Sequence, residues 1–223
     1  MIHPHGPDHT PANTLLPWIR DFLLFSAALP LSAQDRPPLF FREDWKQTEA
    51  ATPVTQDHVA NPNLILSVHG PGRDGVKKSH HDKPADDPFY IWSGTANGNW
   101  AVSLRHKSSL VDLTGQAKIR WRSKQAGFRH LRIILKPASG QWLIGDAADG
   151  ESVDWREIEF PVAGIRWRRL DIKKIVEGPW VEKPDLSRID EIGFTDLMTG
   201  GESIACSRLD WIEVYGHPQP RAN

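Results

Sequence analysis

A chain of 223 residues with 27 Lys and Arg against 28 Asp and Glu carries a formal charge of −1, which excludes a global electrostatic pull toward nucleic acid or an anionic membrane surface. The length suits one domain with a sizeable core and is short for two. Its 18 Pro and 17 Gly, with 39% hydrophobic residues, supply turns for many short strands rather than long helices.

Along the chain, Phe22-Leu-Leu-Phe-Ser-Ala-Ala-Leu-Pro-Leu-Ser-Ala33 is an apolar run preceded by Arg20 and closed by small residues. This is the layout of a secretory signal, too short to cross a bilayer. Residues 1–33 are therefore expected to be a signal peptide or N-terminal export segment, and the protein to be secreted or periplasmic with no stable membrane insertion afterwards. The only cysteine is Cys206, so an intrachain disulfide and a cysteine-based zinc centre are excluded.

Strands are expected at Leu39–Trp45 and Asn63–His69. They are followed by a polar loop from His69 to Pro88 that holds His80, His81, Asp82, Asp86 and Asp87. So long a segment without elements of its own points to function or disorder. Further strands are expected at Phe89–Trp92, Trp100–Lys107, Lys118–Lys124, Arg129–Lys136, Gln141–Gly145, Trp155–Phe160, Arg166–Ile172, Asp190–Thr195 and Arg208–Tyr215. Ile172 to Val176 reads as a brief helical turn, Glu177–Glu182 as a loop, and 217–223 as a disordered tail. Alternating strands about ten residues apart favour one all-β, antiparallel β-sandwich or jelly roll over residues 37–216, with little helix.

Val111-Asp-Leu-Thr-Gly115 followed by Ile119-Arg-Trp-Arg-Ser-Lys124, and later Asp185-Leu-Ser-Arg-Ile-Asp-Glu-Ile-Gly-Phe194 and Leu209-Asp-Trp-Ile-Glu-Val214, resemble phrases of the galactose-binding-like jelly-roll superfamily. That group includes carbohydrate-binding modules and the complex I intermediate-associated protein domain. The resemblance implies a sugar on the outer face of one sheet. It also implies a structural calcium near the first and last strands, for which Glu43, Asp44 and Asp210 offer hard oxygen ligands; no other cofactor is expected. Fold alone does not separate binding from catalysis.

Tryptophan offers a flat apolar face and one N–H donor, which suits a pyranose ring. A sandwich of this length also buries most of its large aromatics, and Trp121 alternates with Ile119 as a core residue would. Trp142, after a Gly-Gln turn, and Trp180 are the expected exposed platforms. Residues two apart on a strand share a face, so Arg105 and Lys107, Lys118, Arg120, Arg122 and Lys124, and His130, Arg132 and Lys136 would make one basic face if their strands shared a sheet. Guanidinium groups match carboxylate or sulfate bidentately.

The expected ligand-binding set is therefore Arg105, Arg120, Arg122, His130, Arg132, Trp142 and Trp180, and the expected partner is a polysaccharide or oligosaccharide, acidic or of plant or microbial origin, rather than nucleic acid. The plainer alternative is a solvated face neutralised by Glu157 and Glu159 on a neighbouring strand. An enzyme, a lyase or a hydrolase, remains open. Tyr90, His106 and His130 are its candidate acid–base groups, with Arg120 to neutralise a uronate. Glu157 and Glu159 are the carboxylates available for hydrolysis. His80, His81 and Asp82 could ligate a metal or simply belong to a polar loop.

Overall fold

The computed structural model describes residues 36–81, 83–199 and 205–221; the expected export segment and Asp82 lie outside them. The described residues form an all-β, antiparallel sandwich, the fold class expected from the sequence. The strands are β1 (Leu39–Glu43), β2 (Leu64–His69), β3 (Lys77–Ser79), β4 (Tyr90–Trp92), β5 (Ala101–His106), β6 (Ser109–Asp112), β7 (Lys118–Gln125), β8 (Leu131–Pro137), β9 (Leu143–Asp149), β10 (Arg156–Pro161), β11 (Trp167–Asp171), β12 (Val176–Val181), β13 (Ile189–Thr195), β14 (Ser207–Tyr215) and β15 (His217–Pro220).

The smaller sheet has six strands in the order β10-β7-β14-β4-β3, with β1 also on β14. The larger has nine, in the order β12-β11-β9-β8-β13-β5-β2, with β6 pairing both β13 and β15. Facing residues of the two sheets build the core. Ile119 and Trp121 of β7 alternate with solvent-side cations, and Ile212 and Val214 of β14 lie beside them. From the larger sheet come Leu104, Ile133, Leu135, Trp167, Ile192 and Phe194. Each such side chain contributes roughly 1.5–3 kcal/mol by leaving water. Trp45, Trp100, Trp121 and Trp167 are fully buried, so much of the tryptophan content is core.

Four strands form where the sequence predicts none. Within the expected loop His69–Pro88, Lys77–Ser79 pairs with Tyr90–Trp92, because Val76 and Lys78 are buried against the sheet. Ser109–Asp112 is the second addition. The expected loop at Trp180 is instead β12, which accommodates Pro179 because only β11 pairs with it. The tail expected to be disordered holds His217–Pro220 paired with β6, its two prolines exposed at the sheet's edge. The expected helical turn at Ile172–Val176 is a single tight turn closed by Ile175 N–H donating to Asp171 O at 2.7 Å.

Ile175 takes φ of 54°, a left-handed conformation rare for a β-branched residue. Full burial beside Ala101, Ile134, Trp142, Ile144 and Leu170 holds it there, together with a hydrogen bond from Asn99 Nδ2 to its carbonyl.

Candidate functional site

The outer face of the smaller sheet carries the basic residues of β7. Along most of its length they are neutralised. Lys118 pairs with Glu159 at 2.8 Å, and Arg120 with Glu157 at 3.0 Å and Glu213 at 3.1 Å. Arg122 pairs with Asp210 at 2.8 Å, and Arg42 with Glu213 at 2.6 Å. A bulge at Leu209/Trp211 sets Asp210 and Trp211 together opposite Arg122. Trp211 is covered by the guanidinium groups of Arg42 and Arg120, 4.4 and 5.7 Å from its ring centroid. This end of the face is a closed lattice of charge, with Glu157 and Glu159 acting as the plainer alternative anticipates.

Beyond Arg122 the lattice opens. Arg208 of β14 stands opposite Lys124 of β7 and Trp92 of β4. Trp155, just before β10, lies half-buried with Arg122 5.5 Å from its ring centroid and Tyr90 5.2 Å away. Residues 80–81 and 83–88 lie against this end. It leaves a cavity of about 170 Å³ lined by His81, Asp87, Tyr90, Lys124, Trp155 and Arg208. A second cavity of about 300 Å³ shares Asp87, Lys124 and Trp155 and adds Arg122, Pro84, Asp86 and Asp154. Lys124 reaches only to 3.9 Å from the solvent-exposed Asp154. Among the described residues no carboxylate stands within ion-pair distance of Arg208.

Three groups in this groove meet at one ring nitrogen. Asp87 Oδ2 accepts the backbone N–H of His81 at 2.8 Å and lies 2.9 Å from His81 Nδ1. Tyr90 Oη is 3.1 Å from the same Nδ1. With its proton on Nδ1 the ring donates to Asp87 and leaves Nε2 bare; the His81 side chain is 63% exposed. Tyr90 is only 2% exposed. Burial pushes its phenol up, against hydrogen bonds with Ser79 and Arg208 that pull it down, so it remains a neutral phenol.

The expected ligand-binding set does not come together. Arg120 and Arg122 lie on the smaller sheet, whereas Arg105 on β5 and Arg132 on β8 belong to the larger one. The chain crosses to the other sheet between β6 and β7 and back again between β7 and β8, so the cations of β7 cannot share a face with those of β5 and β8. Arg132 is held by Glu177 at 2.6 Å and by the carbonyl of Gly145. Trp142, expected to be exposed, is 7% exposed. It packs on the larger sheet's outer side against His69 and Lys136, where Lys136 and Ser103 both bond Glu191. Trp180 is 44% exposed, but Arg168 and Arg166 stand 4.1 and 4.7 Å from its ring centroid.

Of the three candidate acid–base residues only Tyr90 lines the groove. His106 packs on Phe40 at the end of β5, and burial lowers its pKa. His130 is exposed in the β7–β8 connection, next to Gly150.

The expected calcium ligands are each engaged by other groups. Glu43 is fully buried and accepts the backbone N–H groups of Trp45, Ala60 and Asn61 at 2.8, 2.7 and 2.9 Å. Asp44 pairs with Arg42, and Asp210 with Arg122. Carboxylates already turned to N–H donors and guanidinium groups do not fit a calcium ion. Among the described residues no group of three or more His, Cys, Asp or Glu is arranged to hold a metal. His80 of the proposed loop metal site stacks on Phe89 at 3.9 Å instead. The signal that sequence reasoning left unused is the spacing His81, Asp87, Tyr90: a turn through Pro84 and Pro88 folds the first onto the other two.

No protein-family profile and no curated protein matches the chain. Among solved structures it is similar to a family 11 carbohydrate-binding module from Clostridium thermocellum in complex with a β-1,3-1,4-mixed-linked tetrasaccharide. Identity is 18% and the TM-score 0.43, over 78% of this chain and 99% of that one. It is also similar to a family 29 carbohydrate-binding module from Piromyces equi, with 14% identity and a TM-score of 0.41 over 79% and 91% of the two chains. A family 29 module variant complexed with mannohexaose gives 13% identity and a TM-score of 0.44 over 79% and 93%.

Proposed function

We propose that the protein binds an acidic glycan in the groove at the open end of the smaller sheet. The observation that carries this reading is the grouping of one half-buried indole, Trp155, with Lys124 and Arg208 around a joined pair of cavities. An indole face takes the C–H face of a sugar ring, and Arg208 offers a guanidinium fork that no carboxylate of the described residues neutralises. Arg122, tied to Asp210, shapes the wall more than it attracts charge. Export, expected from the apolar run before Ala33, would place the groove where polysaccharides are met. Affinity electrophoresis against acidic and neutral polysaccharides tests the reading. Retention by acidic polymers, weakened in Trp155→Ala and Arg208→Gln, is the expected result. Retention unchanged in both variants but lost in Lys136→Ala would move the site to the larger sheet and end this proposal.

A further inference from the structure

We propose that this groove also cleaves its ligand, by β-elimination at a uronate residue, with His81 as the base; this rests on the groove being the glycan site. All six residues around the smaller cavity are chemically functional, and they divide into the parts that this reaction needs. Trp155 is a platform for the ring. Arg208, opposite Lys124 on the neighbouring strand, is placed to bind the uronate carboxylate and stabilise the negative charge that spreads onto it when the adjacent C5 proton leaves. His81 presents a bare Nε2 when Asp87 fixes its proton on Nδ1 at 2.9 Å.

Tyr90 is the less suitable base. It is buried, and its hydroxyl hydrogen-bonds Ser79 and Arg208 and lies 3.1 Å behind His81 Nδ1. It acts as a positioning residue that holds the imidazole from behind, as Asp87 does. Asp87 is the one carboxylate among the residues lining the smaller cavity, and it is committed to His81, so that cavity does not present a free carboxylate pair for hydrolysis.

The step balances without a co-reactant. Nε2 of His81 takes the C5 proton, and the C5–H electron pair becomes the second bond of C4=C5. The C4–O glycosidic bond breaks with its electron pair on the oxygen. That oxygen then takes the proton from the imidazolium, which returns to neutral imidazole. The products are a new hydroxyl end and an unsaturated uronate end, with no water consumed.

The test incubates the full chain with polygalacturonate, alginate, chondroitin sulfate and heparin. It follows the ultraviolet absorbance of the conjugated unsaturated uronate, with retention of the same polymers measured in parallel. The expected result is absorbance growth on at least one polymer. His81→Ala should lower it about a hundredfold or more while that polymer is still retained. Asp87→Asn should shift the pH profile of the rate rather than only reduce it. Retention without any absorbance growth overturns the elimination and leaves the binding proposal standing. Neither retention nor growth overturns both. Growth that is equal in His81→Ala removes His81 as the base and overturns the mechanism. Circular dichroism of each variant separates loss of fold from loss of chemistry, and Tyr90→Phe, which keeps the buried ring, is the second variant if His81→Ala fails to fold.

Discussion

Replacing Glu43 with Ala should destabilise the sandwich by about 4 kcal/mol. The carboxylate is fully buried, and its two oxygens accept three backbone N–H groups, from Trp45, Ala60 and Asn61. Those bonds pin the β1 end and the start of the β2 approach to each other, and Trp45 itself sits at φ of 57°. An N–H left buried without an acceptor costs about 1–3 kcal/mol. Trp45 N belongs at the upper end of that range, while the half-buried amides of Ala60 and Asn61 belong at the lower. A loss of about 4 kcal/mol is a large part of the roughly 5–15 kcal/mol that holds a domain folded. With a urea dependence of about 2 kcal/mol per M, the unfolding midpoint should fall by about 2 M. Equilibrium urea unfolding followed by tryptophan fluorescence measures it directly. A midpoint shift below about 0.5 M would refute the accounting. So would a shift seen only with calcium present, because that would make Glu43 a metal ligand rather than a clamp on backbone amides.

Further outcomes are expected elsewhere. Asp149→Ala strands the Trp121 indole N–H and the Ser123 hydroxyl, both of which now donate to Asp149 Oδ2 in the core. It should cost about 2–4 kcal/mol, read from the thermal midpoint; Arg156, on the same carboxylate, can turn to solvent. Burial holds the pKa of His69 below its ordinary 6.5, with Glu191 opposing and Lys136 assisting. The native state therefore binds that proton less readily than the unfolded chain. The stability it confers is present above pH 6.5 and lost as pH falls through the lowered value. His69→Gln should flatten, without abolishing, the decline of the melting temperature in mild acid, since His58 and His106 are lowered in the same direction; an identical slope in the variant contradicts the assignment. In the groove, Trp155→Ala should weaken glycan affinity about tenfold or more. Added salt should weaken wild-type binding more than that of Arg208→Gln, because the variant has lost a screened charge contact; calorimetry at two ionic strengths compares them.

Much of the fold was legible because its signals are local. Lys118–Arg122 alternates polar and apolar residue by residue, and the structure buries Ile119 and Trp121, then Ser123 and Gln125 in the same phase, while leaving the cations outside. The strands at β2, β5, β8, β13 and β14 announce themselves by short runs of branched and aromatic residues between turn residues. The elements that were not legible owe their existence to a neighbour. Lys77–Ser79 is three residues long and becomes a strand by docking on Tyr90–Trp92. His217–Pro220, with two prolines, becomes one by lying along β6. Trp142 reads as an exposed platform in sequence, yet the turn at Ile175 folds over to bury it.

The candidate site divides along the same line. Sequence by itself determined the all-β character, the alternating faces, the buried identity of Trp121 and the basic nature of β7, since strand periodicity follows from backbone geometry within a few residues. Only the tertiary structure decided that Arg105 and Arg132 stand on one sheet and Arg120 and Arg122 on the other. It also decided that Glu43 clamps amides, and that a proline-bearing loop brings His81 and Asp87 onto Tyr90 beside Arg208. Sheet membership and loop docking depend on which apolar faces bury each other across the sandwich, and that choice is made between residues far apart in the chain.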